Sequence, residues 1–279
     1  MSLDRLKHAQ PAEIQMITRI ASGGTSEVWL ATHPKTSTPF VLKYATSPAN
    51  HNPYLAGMFE REFEVSRLLK THHIDDISPA IAHFDFDEDN HPYLLMEYFP
   101  SQSLASLFSE LTSWNPMRPI LRHLLKTCAR IHAAGIVHGD LKPTNILIDN
   151  AGNLRLIDFS LSTIHGALHP NHDGPFALGT PWYMSPEQAM HTRMSCATDA
   201  YALGIILFEW ITGHVPYQGK TIEETLNMHC QAPIPPIVRT SISDLPQDFY
   251  TIVPKLMDRN TDTRNDAFRA LYALVNQTS

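Results

Sequence analysis

The first hundred residues contain short apolar and alternating runs, the pattern expected of β-strands. Residues 13–30 alternate and carry small residues at their centre, including Gly23 and Gly24, so they predict a hairpin. Apolar residues at three- and four-residue steps across 54–69 predict an amphipathic helix. Three further runs predict strands: 40–43, 80–86 and 92–96. This part of the chain is therefore expected to form a sheet with one main helix.

The remaining residues are mainly helical in pattern, with Pro-rich connections. An amphipathic run over 117–134 ends at Gly135, a residue type that commonly terminates helices. An apolar run over 199–212 predicts a second helix, and residues 146–148 predict a short strand. Residues 233–246 are rich in proline and predict a loop between helices. We therefore expect this part of the chain to be mostly helical.

Composition narrows the class of protein. With 279 residues, 43% hydrophobic and 18% charged, the chain can bury a large core as one domain or two closely packed lobes. A net charge of −7 gives no broad basic field for nucleic acid or anionic membranes. The three cysteines are scattered, which favours a reducing compartment over a disulfide framework or a zinc site. The longest apolar run, residues 203–208, is too short to span a bilayer, so we expect a cytoplasmic protein.

Candidate chemistry lies on the loop between the helix that ends at Gly135 and the short strand at 146–148. Asp140 can accept a proton from an attacking hydroxyl, and Lys142 can neutralise charge on a moving phosphoryl group. Asn145 and the later Asp158 offer oxygen ligands of the kind that Mg²⁺ prefers. An Asp beside Gly or Pro is more often a turn residue or a helix cap. The spacing of Asp140, Lys142, Asn145 and Asp158 taken together favours a role in phosphoryl transfer over turns or caps.

The same stretches resemble the protein-kinase family. Residues 138–145 read His-Gly-Asp-Leu-Lys-Pro-Thr-Asn and are similar to its catalytic loop, and residues 158–160, Asp-Phe-Ser, are similar to its metal-binding triplet. The resemblance implies an α+β, bilobal protein-kinase fold, with a small antiparallel-sheet lobe carrying one main helix and a larger, mostly helical lobe. It places the small lobe at 1–98 and the large lobe at 99–279, as one catalytic domain without a sensor domain. ATP and Mg²⁺ are the implied cofactors.

The resemblance also implies how the nucleotide is bound. Residues 21–26 are similar to the glycine-rich loop, although alanine and serine replace two of its three glycines. Lys43 matches the lysine that contacts the α- and β-phosphates, and Glu62 matches its acidic partner, whereas Glu60 and Glu64 are expected to be solvated. Asp140, Lys142, Lys43 and Glu62 form the implied catalytic set. The other implied nucleotide contacts are loop, hinge and apolar positions: Ile20, Gly23, Gly24, Val28, Val41, Met96, Glu97, Tyr98 and Leu147.

Residues 179–187, Gly-Thr-Pro-Trp-Tyr-Met-Ser-Pro-Glu, resemble the peptide-docking loop of protein kinases. Together with Asp-Leu-Lys-Pro in the catalytic loop they resemble Ser/Thr-directed members, and the turn at 24–28 resembles bacterial Hanks-type kinases. Asp199 matches the aspartate that braces the catalytic loop, and Arg264 matches the arginine that pairs with Glu187. The implied partners are a protein substrate bearing Ser or Thr and a cognate phosphatase or scaffold, with no nucleic acid and no membrane span.

Gly139 stands where phosphorylation-switched kinases carry an arginine that binds a phosphorylated residue. From 164 to 179 the chain has no Ser, Thr or Tyr that could carry such a phosphate. These two features are typical of the non-RD subclass of kinases. We expect the segment to be ordered by its own packing, with Phe176 and Leu178 as anchors, and activity to be independent of phosphorylation there.

Two other functions stay open at this point. The Gly-Asp pair of the catalytic loop also resembles small-molecule kinases of the aminoglycoside and choline type, which lack the docking block at 179–187. The altered glycine loop and Ser160 would suit a pseudokinase scaffold, although every residue of the catalytic and metal sets is present. His165, His169 and His172 share one loop, but 16 histidines in the chain make such a cluster expected, and we assign no metal other than Mg²⁺.

Overall fold

The structure is a computed structural model that describes residues 13–34, 36–165, 179–238 and 242–277. These residues form two compact units. The first unit contains the described residues up to Pro100 together with Ile157–Ser160. The second contains Ser101–Leu156 and the described residues from Leu161 onward.

The first unit is built on a five-stranded antiparallel sheet. Its strands are β1 (Gln15–Ser22), β2 (Ser26–His33), β3 (Thr36–Ala45), β4 (Ile81–Phe86) and β5 (Pro92–Glu97). They are arranged in the order β1-β2-β3-β5-β4. The predicted β1–β2 hairpin closes where the Gly23 amide donates to the Ser26 carbonyl at 2.9 Å. Four of the five strands lie where the hairpin and the alternating runs predict them. The fifth, β3, is longer at both ends than the predicted run 40–43.

One helix, α1 (Pro53–Thr71), packs against this sheet. Its Leu55 and Phe59 are buried in one cluster with Val41 and Met96 of the sheet. On β3, Phe40 and Leu42 belong to a separate buried cluster with residues of β5. Because successive side chains of a strand point to opposite faces, the odd-numbered positions of β3 share the face that α1 covers. Lys43 is one of those positions.

The second unit is mostly helical. Its helices are α2 (Leu104–Leu107), α3 (Trp114–Ala133), α4 (Pro186–Ala189), α5 (Cys196–Thr212), α6 (Ile222–Gln231), α7 (Phe249–Leu256) and α8 (Thr261–Asn276). Its strands are β6 (Gln102–Ser103), β7 (Ile136–Val137), β8 (Ile146–Ile148), β9 (Leu154–Leu156) and β10 (Thr163–Ile164). β8 lies between β6 and β9, and β7 pairs with β10. These short pairs fix the two ends of the loop that carries Asp140.

The centre of the second unit is α5, whose residues are almost all buried. It begins at Cys196, three residues before the predicted start, because Ser195 caps it by accepting the Ala197 amide in a capping box with Thr198. Gly213 caps its C-terminal end and has a φ of +81°, which glycine adopts at little cost. The buried helix is a fixed support for groups that bond to its side chains.

The other long helix, α3, also begins three residues earlier than predicted. Its first residue, Trp114, packs edge-on against Phe249 with ring centroids 5.0 Å apart, and its amide donates to the Asp244 carboxylate at 3.1 Å. These tertiary contacts extend the helix beyond its amphipathic pattern. Gly135, with a φ of +75°, follows the helix as predicted.

The predicted α+β class is confirmed, with an antiparallel sheet in the first unit and helices dominating the second. None of the helices among the described residues is both long enough and apolar enough to cross a bilayer.

Candidate active site

Three charged residues meet in the first unit. The Lys43 ammonium lies 2.6 Å from Glu62 Oε2 and 2.9 Å from Asp158 Oδ1. The side chains of Lys43 and Glu62 are only 11% and 6% exposed. The pair predicted from the sequence is thus formed by the middle glutamate of α1, while Glu64 is exposed and bonds to Arg61 instead. The register of β3 and the turn of α1 bring the lysine and its partner together.

The charge of Lys43 is stabilised by its two carboxylate neighbours. Burial by itself would lower the lysine pKa, but the nearby charges of Asp158 and Glu62 outweigh burial and hold the pKa above its ordinary value. The ammonium also lies 5.6 Å from the centre of the Phe59 ring, within the range of a cation–π contact. Lys43 is therefore a fixed positive charge at neutral pH.

Asp158 and the two residues after it form a tight turn. Asp158 has a φ of +64°, and a helical turn begins at Phe159, whose side chain is 2% exposed. The Ser160 hydroxyl donates to Asp158 Oδ1 at 2.8 Å, the same oxygen that Lys43 reaches. The carboxylate is held by a donor two residues away as well as by one from β3.

In the second unit, the catalytic-loop residues converge on Asp140. Lys142 donates to Asp140 Oδ2 at 2.6 Å and to the Thr180 hydroxyl at 2.8 Å. The Thr180 amide donates to Asp140 Oδ1 at 3.2 Å, and the Asn145 amide group donates to the Asp140 carbonyl at 3.0 Å. Asp140 is 8% exposed. Asp140 is thereby linked to the lysine, the asparagine and the start of the docking block.

Asp199 of α5 supports this loop from inside the unit. Its carboxylate, 2% exposed, accepts the backbone amides of His138 and Gly139 at 2.9 and 3.0 Å. It also bonds to His132 Nε2 of α3 at 2.7 Å. Burial by itself would raise the Asp199 pKa, but the bond to His132 outweighs it and holds that pKa below its ordinary value. The bracing role predicted for Asp199 has its geometric basis in these bonds.

His132 completes the brace. Burial favours the neutral imidazole, but the bond to Asp199 and the nearby Cys196 thiol outweigh burial and raise the His132 pKa from 6.5 to about 9. The histidine is therefore charged at neutral pH. A buried carboxylate that accepts three hydrogen bonds, one of them from a cation, holds the loop backbone firmly.

The docking block is tied to the same support. Arg264 of α8, fully buried, donates to both Glu187 oxygens at 3.0 and 2.9 Å, as predicted. Thr198 of α5 donates to Glu187 Oε1 at 2.8 Å. Gln188 donates to the Gly139 carbonyl at 2.6 Å, which connects α4 to the catalytic loop. The block and the loop form one hydrogen-bonded structure within the second unit.

The apolar positions expected to contact the nucleotide are distributed over both units. Val41 and Met96 are directly paired neighbours on β3 and β5, with Val28 and Tyr98 packed against their cluster. Ile20 on β1 is 51% exposed. Leu147 belongs to β8 of the second unit. Val41 and Met96 are thus nearly buried within the first unit, at 8% and 9% exposure.

Some predicted features fall outside the described residues. Phe176 and Leu178, the expected anchors of the segment after Asp158, belong to this group, as do His169 and His172. His165 is described and is exposed. Within the described ranges, no three or more His, Cys, Asp or Glu side chains are grouped so that they could hold a metal ion.

Asn145 and Asp158, the two metal ligands predicted from the sequence, have side chains of the kind that bind Mg²⁺. Asn145 uses its amide nitrogen as a donor to Asp140, at 3.0 Å to the carbonyl and 3.3 Å to Oδ2, so its amide oxygen is the atom that could bind a metal. Asp158 supplies carboxylate oxygen and is 31% exposed. Amide and carboxylate oxygens are the hard ligands that Mg²⁺ takes alongside nucleotide phosphates. Each of these two side chains is therefore chemically suited to Mg²⁺ bound with a nucleotide.

Sequence reasoning missed two contributors to the site. Nothing in the sequence marks His132, because a histidine in the last turn of a helix is ordinary and its partner lies 67 positions later. The Ser160 hydroxyl had a signal, since serine replaces glycine beside a metal-binding aspartate. That signal indicated a stiffer backbone but not the hydrogen bond to Asp158.

These features together define a protein kinase domain. They are a five-stranded sheet with a Lys–Glu pair, a helical unit with an Asp–Lys–Asn loop, and a buried Glu–Arg pair. Comparison with protein families agrees: the protein kinase domain matches residues 14–273, so the chain belongs to this family.

Its relatives include bacterial Ser/Thr protein kinases. It is 32% identical over 248 residues to serine/threonine-protein kinase PrkC of Bacillus subtilis, covering 86% of this chain and 36% of the relative. It is 32% identical over 254 residues to serine/threonine-protein kinase PknL of Mycobacterium tuberculosis, covering 88% and 60%. Serine/threonine-protein kinase Pkn1 of Myxococcus xanthus is 28% identical over 238 residues, covering 84% and 34%. The chain thus spans between about a third and 60% of these relatives.

Proposed function

We propose that this protein transfers the γ-phosphoryl group of ATP to Ser or Thr hydroxyls of protein substrates. The observation that carries the proposal is the link between Asp140, Lys142 and Thr180, which joins a candidate base to the first residues of the docking block. The names of the relatives as Ser/Thr protein kinases support the acceptor class. A cognate phosphatase or scaffold belongs to the same proposal.

In this proposal Asp140 orients the acceptor hydroxyl and takes its proton. Its two oxygens are held by Lys142 and by the Thr180 amide, so the carboxylate is positioned before a substrate arrives. Lys142 neutralises charge on the transferred group, and its second bond, to Thr180, keeps the ammonium next to Asp140. Both groups act through their placement, which costs no reorganisation during transfer.

Lys43, Asn145 and Asp158 bind the nucleotide and its metal in this proposal. Lys43 is held extended by Glu62, so its ammonium is presented to the α- and β-phosphates. Asn145 and Asp158 each supply an oxygen ligand. Asn145 and Asp158 would hold Mg²⁺, which would supply positive charge to neutralise the negative charge of the phosphates. The apolar positions around Val41 and Met96 hold adenine, with the main chain of Glu97 and Tyr98 as its hydrogen-bonding edge.

The proposal is tested with purified Asp140→Asn in an assay with ATP, Mg²⁺ and a generic protein acceptor. Transfer should fall by about a thousandfold, within the range of general-base catalysis, while Mg-nucleotide affinity stays within about threefold. Asp266→Asn makes the same chemical change at an exposed position of α8 and is the matched control. Equal transfer by Asp140→Asn and Asp266→Asn would refute the role of Asp140.

The same assay separates this function from its alternatives. A small-molecule kinase would phosphorylate an aminoglycoside or choline and leave every protein acceptor unlabelled. A pseudokinase would bind nucleotide without turnover, although the formed Lys43–Glu62 pair gives that alternative no support. Label in phosphoserine or phosphothreonine of a protein is the result expected here.

We also propose that activity does not need a phosphate on the segment from Asp158 to Glu187. Gly139 replaces the usual arginine, and its φ is +77°. A Cβ atom there would lie 2.7 Å from the Leu161 carbonyl and 3.3 Å from the Met194 side chain. The catalytic loop is held by Asp199 and Gln188. This arrangement supports an ordered loop without a phosphate receiver.

The test treats purified enzyme with a broad phosphatase and confirms by mass spectrometry that residues 158–187 carry no phosphate. Initial rates on a protein acceptor should remain within about threefold of the untreated enzyme. A hundredfold drop, roughly 2.7 kcal/mol in barrier, that only phosphorylation within the segment restores would overturn the proposal.

A further inference from the structure

The hydroxyl of Ser160 has an unusual position for this family. It lies 2.8 Å from Asp158 Oδ1, and Ser160 is 4% exposed, so water competes little for the bond. The Lys43 ammonium reaches the same oxygen at 2.9 Å. All three residues belong to the first compact unit. One carboxylate oxygen therefore receives two donors of different kinds.

The two donors, Lys43 and Ser160, differ in their other bonding partners. Lys43 is shared with Glu62 at 2.6 Å and, under the proposed function, is shared again with the nucleotide phosphates. Ser160 is two residues from Asp158 in the same turn, and that turn is set by the positive φ of Asp158 and the helical turn that follows. Its bond to the carboxylate is local, formed within one turn of the chain, so it does not require Lys43 to stay at the carboxylate.

We propose that Ser160 is a positioning residue that holds the Asp158 carboxylate in its metal-binding orientation. This inference rests on the proposed function and adds a residue to its metal site. A glycine, which the family carries at this position, has no side-chain donor and cannot supply this bond. Outer partners of metal ligands typically contribute tenfold to a hundredfold in metal affinity. Because the Ser160 hydroxyl is neutral and Lys43 remains nearby, we expect the lower end of that range.

The experiment measures ADP binding by calorimetry, first in EDTA and then across a Mg²⁺ titration, with transfer rates recorded separately. Ser160→Ala removes the hydroxyl and keeps a side chain. Ser160→Gly removes the hydroxyl and also frees the backbone. Ser162→Ala is the matched control, because it removes another buried hydroxyl that donates to the His138 carbonyl at 3.1 Å and not to Asp158.

Ser160→Ala and Ser160→Gly should both raise the apparent Mg²⁺ dissociation constant by about tenfold, with ADP affinity in EDTA unchanged within twofold. Ser162→Ala should leave both constants unchanged. Thermal melting of each variant checks that the fold is retained, and the comparison uses the ratio of the two constants within one protein. A merely structural role for Ser160 would not change that ratio.

Three results would overturn the inference, and they are distinguishable. An unchanged Mg²⁺ constant in Ser160→Ala overturns the positioning role and leaves the proposed function standing. A rise in Ser160→Gly alone assigns the effect to backbone freedom and also overturns it. If the wild-type protein shows no Mg²⁺-dependent ADP binding, both the inference and the proposed metal site fail.

Discussion

The pair between His132 and Asp199 makes the stability of the protein depend on pH above neutrality. The His132 side chain is 11% exposed, and its pKa is raised from 6.5 to about 9 because Asp199 stabilises its charge. A group whose pKa is higher in the folded than in the unfolded protein stabilises the fold only while it is protonated when folded. This contribution is therefore complete below pH 6.5, decreases as the pH rises, and is lost above about pH 9.

The size of the effect follows from the two pKa values. A tenfold change in a protonation constant corresponds to about 1.4 kcal/mol, so a rise from 6.5 to about 9 corresponds to roughly 3 kcal/mol. The lowered Asp199 pKa arises from the same interaction, so it contributes no further free energy. We expect the free energy of unfolding to fall by roughly this amount between pH 6 and pH 9.5 through His132 alone.

The assay is urea unfolding at several pH values between 6 and 9.5, for the wild type and for His132→Gln. Glutamine keeps a donor for Asp199 without a titratable charge, so the difference between the two proteins isolates the histidine. Both proteins also carry Cys196→Ser, which removes the thiol beside His132. A difference in unfolding free energy that stays constant across the whole range would refute the reasoning.

Three further predictions follow from the described contacts. Arg264→Met leaves the Glu187 carboxylate buried without its cation and should cost about 3–5 kcal/mol in a urea titration; an unchanged midpoint would contradict the buried pair. Gly139→Arg should cost about 1–2 kcal/mol, because residue 139 has positive φ, and should not create phosphorylation-dependent activity in the phosphatase assay. Asp158→Ala should abolish the Mg²⁺-dependent part of ADP binding in calorimetry, and retention of that part would exclude Asp158 as a ligand.

Much of the fold was predictable because its elements have strong local patterns. The alternation in β1 and β2 and the three- and four-residue spacing in α1 are properties of the sequence itself, and each element formed where the pattern lay. The starts of α3 and α5 were each predicted three residues late. Those boundaries depend on Trp114 packing against Phe249 and on the capping box at Ser195, which no periodicity reveals.

In the candidate site, too, local motifs were predictable and contacts between distant residues were not. Motif spacing predicts Asp140, Asn145 and Asp158, since phosphoryl transfer needs residues of those types. Hydrogen bonds between residues distant in sequence were not predictable in the same manner, because they arise only after helices pack. The bond from His132 to Asp199 joins α3 to α5, and the motifs identify only the aspartate.

The absent arginine and the charged His132 belong to one physical account of the catalytic loop. In a phosphorylation-switched kinase an arginine of the catalytic loop binds a phosphate on the segment that follows the metal-binding aspartate, and this charged pair, which exists only after modification, orders that segment. Here the amides of His138 and Gly139 bond to Asp199, whose charge is balanced by a histidinium present whenever the pH lies below about 9. The charges that brace the catalytic loop therefore belong to α3 and α5. If transfer needs the His132 charge, the rate should fall as His132 deprotonates near pH 9, and a rate that stays constant through that range would refute this step. If the segment needs no phosphate, the rate should not respond to phosphatase, and a large drop on dephosphorylation would refute that step.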